Sequence, residues 1–267
     1  MKKLFNIFIA IATISITSCD EVIDFDLHEG QQRVMVEGLI VNDQPAVVKL
    51  SRTTSFYSSS PTPKITDATV IITDNTGAVD TLTHEGDGVY KGDNIVGVFD
   101  RTYVLKVIDR GVEYTSQSKL PRINEIDSIV YEYRDRQGFF SDSGYYVTFY
   151  AKDPPGEKNY YLGKYYKNNG LITQNNFFYL YSDELIEENT SIPVEFETVY
   201  YKGDVAKMEF FSLTKEAYDF YLKMISNLNN DGGFYSTPPA NVKGNISNGA
   251  LGLFQASGMV TASLTIQ

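Results

Sequence analysis

The sequence predicts a mostly β chain, with an N-terminal immunoglobulin-like β-sandwich followed by a second β-rich domain that carries one main helix. Three observations carry that prediction. Short runs of alternating apolar and polar residues recur from Val34 onward, separated by turns rich in Gly, Asn and Asp. Leu120-Pro121-Arg122 interrupts the first series, because a proline cannot donate to a strand ladder. Beyond it the aliphatic alternation gives way to aromatic doublets, and 16 of the 20 tyrosines follow Pro121.

Taken in order, residues 1–18 read as a leader. Lys2 and Lys3 precede an apolar run from Leu4 to Ile16, the pattern of a secretory signal. As a helix that run would reach roughly 20 Å, short of the roughly 30 Å hydrocarbon core, so export is expected rather than a membrane span. The run ends in Ile16-Thr17-Ser18-Cys19, an aliphatic residue and two small ones before cysteine, which resembles a bacterial lipobox. That resemblance implies that Cys19 becomes the first mature residue and carries a covalent lipid. Cys19 is the only cysteine, so no internal disulfide competes for its thiol. Residues 19–32 read as an acidic tether through Asp20, Glu21, Asp24 and Asp26. This resembles the tether that accompanies transfer to the outer leaflet in surface lipoproteins of Bacteroidetes-type bacteria, the alternative being a plain solvated linker.

Residues 33–121 supply the sandwich. Strand runs begin at Val34 and Val36 and continue at Val47-Val48-Lys49-Leu50, Ala68 to Ile72, Asp80-Thr81-Leu82, Tyr103 to Val107 and Val112 to Thr115. Asp74-Asn75-Thr76-Gly77, Glu85-Gly86-Asp87-Gly88 and Asp109-Arg110-Gly111 are turns between them. Many short strands in so little chain argue a sandwich, and Tyr103 stands where a tyrosine corner would, or as a plain buried ring. Residues 122–267 form the tyrosine-rich domain. Its expected strands are Ser128 to Tyr133, Tyr145 to Lys152, Tyr160 to Tyr166, Asn176 to Tyr181, Val194 to Tyr200, Ala206 to Ser212 and Met259 to Ile266. Its helix is expected near 215–228, capped by Thr214, with Tyr218, Tyr221, Leu222, Ile225 and Leu228 on one face.

The net charge is −11, and −13 once Lys2 and Lys3 leave with the leader. An acidic chain without a basic cluster lacks the surface that releases counterions from phosphates, so no nucleic acid partner is expected. Tryptophan is absent, which disfavours a carbohydrate platform, although tyrosine can substitute. His28 and His84 have no i,i+4 metal-ligand partner, and no nucleophile elbow or phosphate-binding loop occurs. Glu184 with Glu187 and Glu188 could imitate a glycosidase pair, yet among 34 acids such proximity arises by chance. Asn227 to Gly232 offers loop oxygens but no glutamate in the twelfth position, so a helix stop explains it better than calcium. The chain is therefore expected to be non-enzymatic, with no metal and no cofactor beyond the lipid on Cys19.

The doublets are the most informative chemistry. Neighbours in a strand point to opposite faces, so each doublet sends one ring to the core and one away from it. Tyr145, Tyr146, Tyr160, Tyr161, Tyr165, Tyr166, Tyr200 and Tyr201 are the candidate aromatic binding surface, since tyrosine supplies contact area at low ordering cost. The alternative is a sheet covered on both faces by the helix and long loops.

Several stretches in this order resemble the outer-membrane lipoprotein family catalogued as domain of unknown function 4249. They are Cys19 with its acidic tether, Val34 to Gly38, Gly88-Val89-Tyr90, Thr102 to Leu105, Asn159-Tyr160-Tyr161, Ser212 to Tyr218, and Pro239 through Asn245-Ile246 to Phe254. The resemblance implies a two-part outer-membrane lipoprotein, often encoded beside a TonB-dependent receptor, and supplies no catalytic motif. The expected function is a surface-exposed accessory or ligand-binding partner of such a receptor, held in the outer membrane bilayer by Cys19. A structural or adhesive envelope lipoprotein is the alternative, and a surface hydrolase a more distant one.

Overall fold

Val, Ile, Thr, Tyr and Phe fill the alternating runs, and these residues suit the pleated, half-buried surface of a sheet better than a helix. A computed structural model describes residues 32–55, 58–136, 142–152, 158–173, 178–184, 191–195, 198–229 and 242–267. The chain is mostly β, with several sheets and one helix among these residues. Cys19, the expected leader and all but the last residue of the expected tether lie outside them.

The first strands are β1 (Val34–Val41), β2 (Pro45–Arg52), β3 (Thr69–Asp74), β4 (Val79–Thr81), β5 (Thr83–Gly86), β6 (Val89–Val96), β7 (Thr102–Asp109) and β8 (Val112–Lys119). There follow β9 (Ile126–Arg134), β10 (Gly144–Lys152), β11 (Tyr160–Lys167), β12 (Gly170–Leu171), β13 (Tyr179–Ser182), β14 (Ser191–Glu195) and β15 (Val205–Leu213). The helix α1 (Lys215–Leu228) precedes β16 (Leu251–Ser257) and β17 (Met259–Thr265).

Two sheets, ordered β16-β1-β2-β6-β5 and β4-β3-β7-β8, enclose the first core. Val36, Ile40, Val48 and Leu50 from one meet Val70, Ile72, Leu105 and Val107 from the other. Leaving β16 aside, the orders 1-2-6-5 and 4-3-7-8 match the pairing expected of an immunoglobulin-like sandwich. Tyr103, fully buried, behaves as a corner: its hydroxyl accepts from Val98 N at 2.7 Å and donates to Val96 O at 3.3 Å. The ring thereby ties the start of β7 to the chain that leaves β6.

The second pair of sheets is ordered β14-β10-β9 and β12-β11-β15-β17, with β13 also pairing β11. Val147, Phe149 and Ala151 face Tyr161, Tyr165, Met208 and Phe210 across the inner core. The other face of the β11–β15 sheet is covered as well. Tyr160, Leu162, Phe211 and Leu213 pack with Ala217 of α1 and with Val41 and Leu253 of the first sandwich.

Two features join the sandwiches. β16 pairs parallel with β1, from Met35↔Leu251 to Val41↔Ser257, so a late segment completes the first sheet across the expected boundary at residues 121 and 122. After one residue, Gly258, the chain enters β17 and pairs with β15. A Cβ on Gly258 would stand 2.8 Å from both Ile123 Cγ2 and Ser212 Oγ and 2.9 Å from Pro121 O, so only glycine fits the corner. Ser212 Oγ accepts from Gly258 N at 2.9 Å and donates to Pro121 O at 3.0 Å, tying the linker, β15 and the corner together. Residues Gln32–Gln267 accordingly form one compact unit.

Other details depart from the sequence expectations. β16 has no clear alternation because both of its faces are covered, and Leu253 to Ser257 are all buried. The expected strand from Val194 to Tyr200 splits into β14 and an isolated bridge between Tyr145 and Tyr200. Asn176 and Phe177 lie outside the described residues, and the strand there runs Tyr179–Ser182. The helix presents a different stripe: Ala217, Tyr218, Phe220 and Tyr221 meet the sheet, whereas Leu222 and Leu228 are exposed. The packed residues all lie in its first two turns.

Candidate functional site

The eight tyrosines of the candidate surface do not form one surface. Tyr160, Tyr161, Tyr165 and Tyr200 are core residues, each 8% exposed or less. The alternation of faces holds, but the β11–β15 sheet is covered twice, so the ring turned away from one core enters another. Tyr161 stacks on Phe210 with centroids 4.9 Å apart and Tyr165 packs edge-on against Phe149. Tyr160 faces Tyr218 at 5.0 Å and donates to Glu184 Oε1 at 2.6 Å. That hydrogen bond and burial push its hydroxyl up to about 12, and burial pushes Tyr200 up to about 12. Tyr160 and Tyr200 therefore stay neutral near neutral pH, and all four rings act as packing.

Tyr166 is partly buried and donates to Glu209 Oε2 at 2.7 Å. Tyr145 turns to Tyr131 and Tyr133, 5.6 and 5.3 Å away and edge-on to both. Tyr201 is 57% exposed, with Lys167 Nζ 4.8 Å over its ring. Only Tyr146 belongs to a larger outward arrangement.

That arrangement is the outer face of the β14-β10-β9 sheet. The inner positions of β10 carry Val147, Phe149 and Ala151, so Tyr146, Thr148 and Tyr150 point to the opposite side. Cross-strand pairing sets Tyr146 beside Glu132, Thr148 between Val130 and Glu195, and Tyr150 between Ser128 and Pro193. Arg134 grips Glu195 through two bonds of 2.7 and 2.8 Å, pairs with Glu132, and lies 4.7 Å over the Tyr146 ring. Thr148 Oγ1 donates to Glu195 Oε2 at 3.0 Å. The Arg134 hydrogen bonds hold the Glu195 carboxyl below its usual range; burial opposes this and Thr148 adds to it. A bidentate guanidinium–carboxylate pair fixes both planes and leaves the ring face oriented. The result is an outer face of rings, hydroxyls and charges held in place by one another.

Sequence reasoning missed Glu132, Arg134, Thr148 and Glu195. The Glu-x-Arg alternation in β9 is a local signal that two charges share a face, but Glu195 lies 61 residues further along and only sheet pairing brings it there. The remaining candidates are accounted for locally. His84 Nε2 accepts from Gly88 N at 3.3 Å and stands 5.0 Å from the Tyr90 ring, closing the β5–β6 hairpin. Glu184 holds the Tyr160 hydroxyl, whereas Glu187, Glu188, His28 and Asn230 to Gly232 lie outside the described residues. No group of three His, Cys, Asp or Glu able to hold a metal occurs among the described residues.

The architecture therefore defines a mostly β protein whose two sheet pairs share a corner and whose second pair offers an aromatic, ion-paired outer face. A family model described as Domain of unknown function (DUF4249) matches residues 20–263, and the chain belongs to that family. A comparison with curated proteins returns no match.

Proposed function

We propose that this chain is a non-enzymatic outer-membrane lipoprotein, anchored through lipid on Cys19 and exposed at the cell surface, that serves as an accessory partner of a TonB-dependent receptor. The observation that carries the reading is Ile16-Thr17-Ser18-Cys19 with the chain's only cysteine, followed at once by acidic residues. Two or more acyl chains hold a protein on a bilayer stably, so a thiol with no disulfide partner has a use there. The outer face around Tyr146 and Arg134 supports a binding role, since oriented aromatic rings and fixed guanidinium groups are favoured at protein interfaces.

Labelling of growing cells with a palmitate analogue tests the anchor: the native chain takes up label and the Cys19→Ala variant takes up none. Purification of the native chain from detergent-solubilised membranes tests the partner. Recovery with a TonB-dependent receptor at native expression is the expected result, and repeated recovery of the lipoprotein alone rejects the partnership.

A further inference from the structure

Among the described residues the sheet edges are guarded, with one long exception. An exposed edge offers unpaired backbone N–H and C=O groups to any passing strand, and natural sheets blunt it with short strands, prolines, bulges or cover. β4, β5, β12 and β13 have four residues or fewer, and β5 carries an irregularity between His84 and Gly86. β14 carries Pro193. β8 and β16 cover each other through Ala256 N to Ser118 Oγ at 3.0 Å, and Ser247 N bonds Thr115 O at 2.9 Å. β17 leans against β9, where Val260 and Ala262 share a core with Ile126 and Ile129.

The remaining stretch, Val130 to Arg134 of β9, has none of these protections. β9 is nine residues long, pairs only with β10, and contains neither proline nor lysine. Among the described residues no hydrogen bond reaches its backbone from the outer side. Val130 and Tyr133 are 47% and 56% exposed, and Val, Ile and Tyr make up most of the strand.

We propose that this edge of β9 receives an extended segment of a partner protein, which adds a fourth strand to the β14-β10-β9 sheet. Charge decides the occupant. Glu125, Asp127, Glu132 and Asp135 are exposed along the edge, while Arg134 is already committed to Glu195 and Glu132. The complementary strand carries Lys or Arg at alternate positions, on the face that holds Val130 and Glu132, with β-branched residues between them to meet Tyr131 and Tyr133 on the other face. A second copy of this chain fits less well, because antiparallel pairing about Val130 sets Glu125 against Asp135 and joins two chains of net charge −11. The inference deepens the proposed partnership by naming the face and the chemistry through which the partner binds.

Amide hydrogen exchange on the full chain in detergent micelles tests it. The probe is a synthetic peptide of about nine residues alternating lysine with valine or threonine, matched by a twin with glutamate for lysine. The lysine peptide is expected to slow exchange in β9 at least tenfold, less so at high salt, with little effect from the twin. Tyr133→Pro removes an N–H that faces the free edge, because Tyr145 opposite it bonds Tyr200 on its other side, and Val130→Lys, at an exposed site, places a repelling charge beside the incoming strand without touching the core; both are expected to abolish the protection. Equal protection by the two peptides, protection confined to other strands, or no protection overturns the proposal. Protection of β9 that grows with protein concentration in the absence of peptide also overturns it, by assigning the edge to self-pairing. Recovery of a receptor with the native chain and with Val130→Lys alike would leave the partnership standing and place its interface elsewhere.

Discussion

Asp204 organises a turn and Asp80 ties β4 to β6, each by accepting hydrogen bonds, and both can be tested by single substitutions. Asp204 accepts from Asn168 Nδ2 at 2.7 Å and from Tyr201 N at 2.8 Å, and pairs with Lys167 at 2.9 Å. These contacts, Asn168 first, hold its carboxyl down at about 2 against a usual 3.8. A carboxyl depressed by folding stabilises above its unfolded pKa, and that contribution disappears as pH falls through the folded value. Asp204→Asn is therefore expected to cost about 1–2 kcal/mol at pH 7, discounted for partial exposure, and almost nothing near pH 2. Urea denaturation across that range checks it. Asp80 is almost fully buried, and its Oδ2 accepts from the backbone N–H groups of Asp93, Asn94 and Ile95. Burial alone would raise its pKa, but these bonds outweigh burial and lower it. Asp80→Ala would leave those donors unpaired and is expected to cost about 3 kcal/mol or more, read as a lowered denaturation midpoint. The sequence places Asp80 in a strand and Asp74 in a turn. It does not reveal that Asp80 anchors residues 93–95, because that contact joins separate strands through a side chain.

At the scale of elements, α1 was legible in its limits and only partly in its packing. Thr214 Oγ1 accepts from Ala217 N at 3.3 Å, as its place before the helix predicts, and Thr214→Ala is expected to cost about 1 kcal/mol. Periodicity assigns Leu222 and Leu228 to the packed face, yet Leu222→Gln is expected to change stability by less than about 0.5 kcal/mol because the side chain is exposed. Tyr221 shows the opposite behaviour. Its hydroxyl donates to Gln255 Oε1 at 2.8 Å, and Gln255 is buried, so Tyr221→Phe would strand an amide oxygen at a cost of about 1–2 kcal/mol. Thermal melts of the three variants rank them directly. The strands follow the same division: β7, β10, β11 and β15 stand near their expected positions, whereas β16, covered on both faces, shows no period-two signal.

For the whole molecule, the corner at Gly258 makes the two sandwiches depend on each other. Phe254 and Ala256 of β16 belong to the first core, and β17 completes the sheet of the second. A fragment that stops at Pro121 lacks those residues, so it is expected to unfold readily, and residues 32–267 to unfold in one transition seen alike by near-UV circular dichroism and by urea-dependent fluorescence. Two separated transitions would show the sandwiches to be energetically independent. The mostly β class, the placement of most strands and the start of the helix were determined by the sequence alone, because alternation, turn residues and capping are local. The destination of each outward ring was decided by tertiary structure. Period-two alternation states that Tyr160 and Tyr161 point to opposite faces, but not that both faces are covered, nor that Glu195 arrives beside Arg134. Those outcomes depend on which sheets meet, and β16 and Gly258 set that arrangement from the far end of the chain.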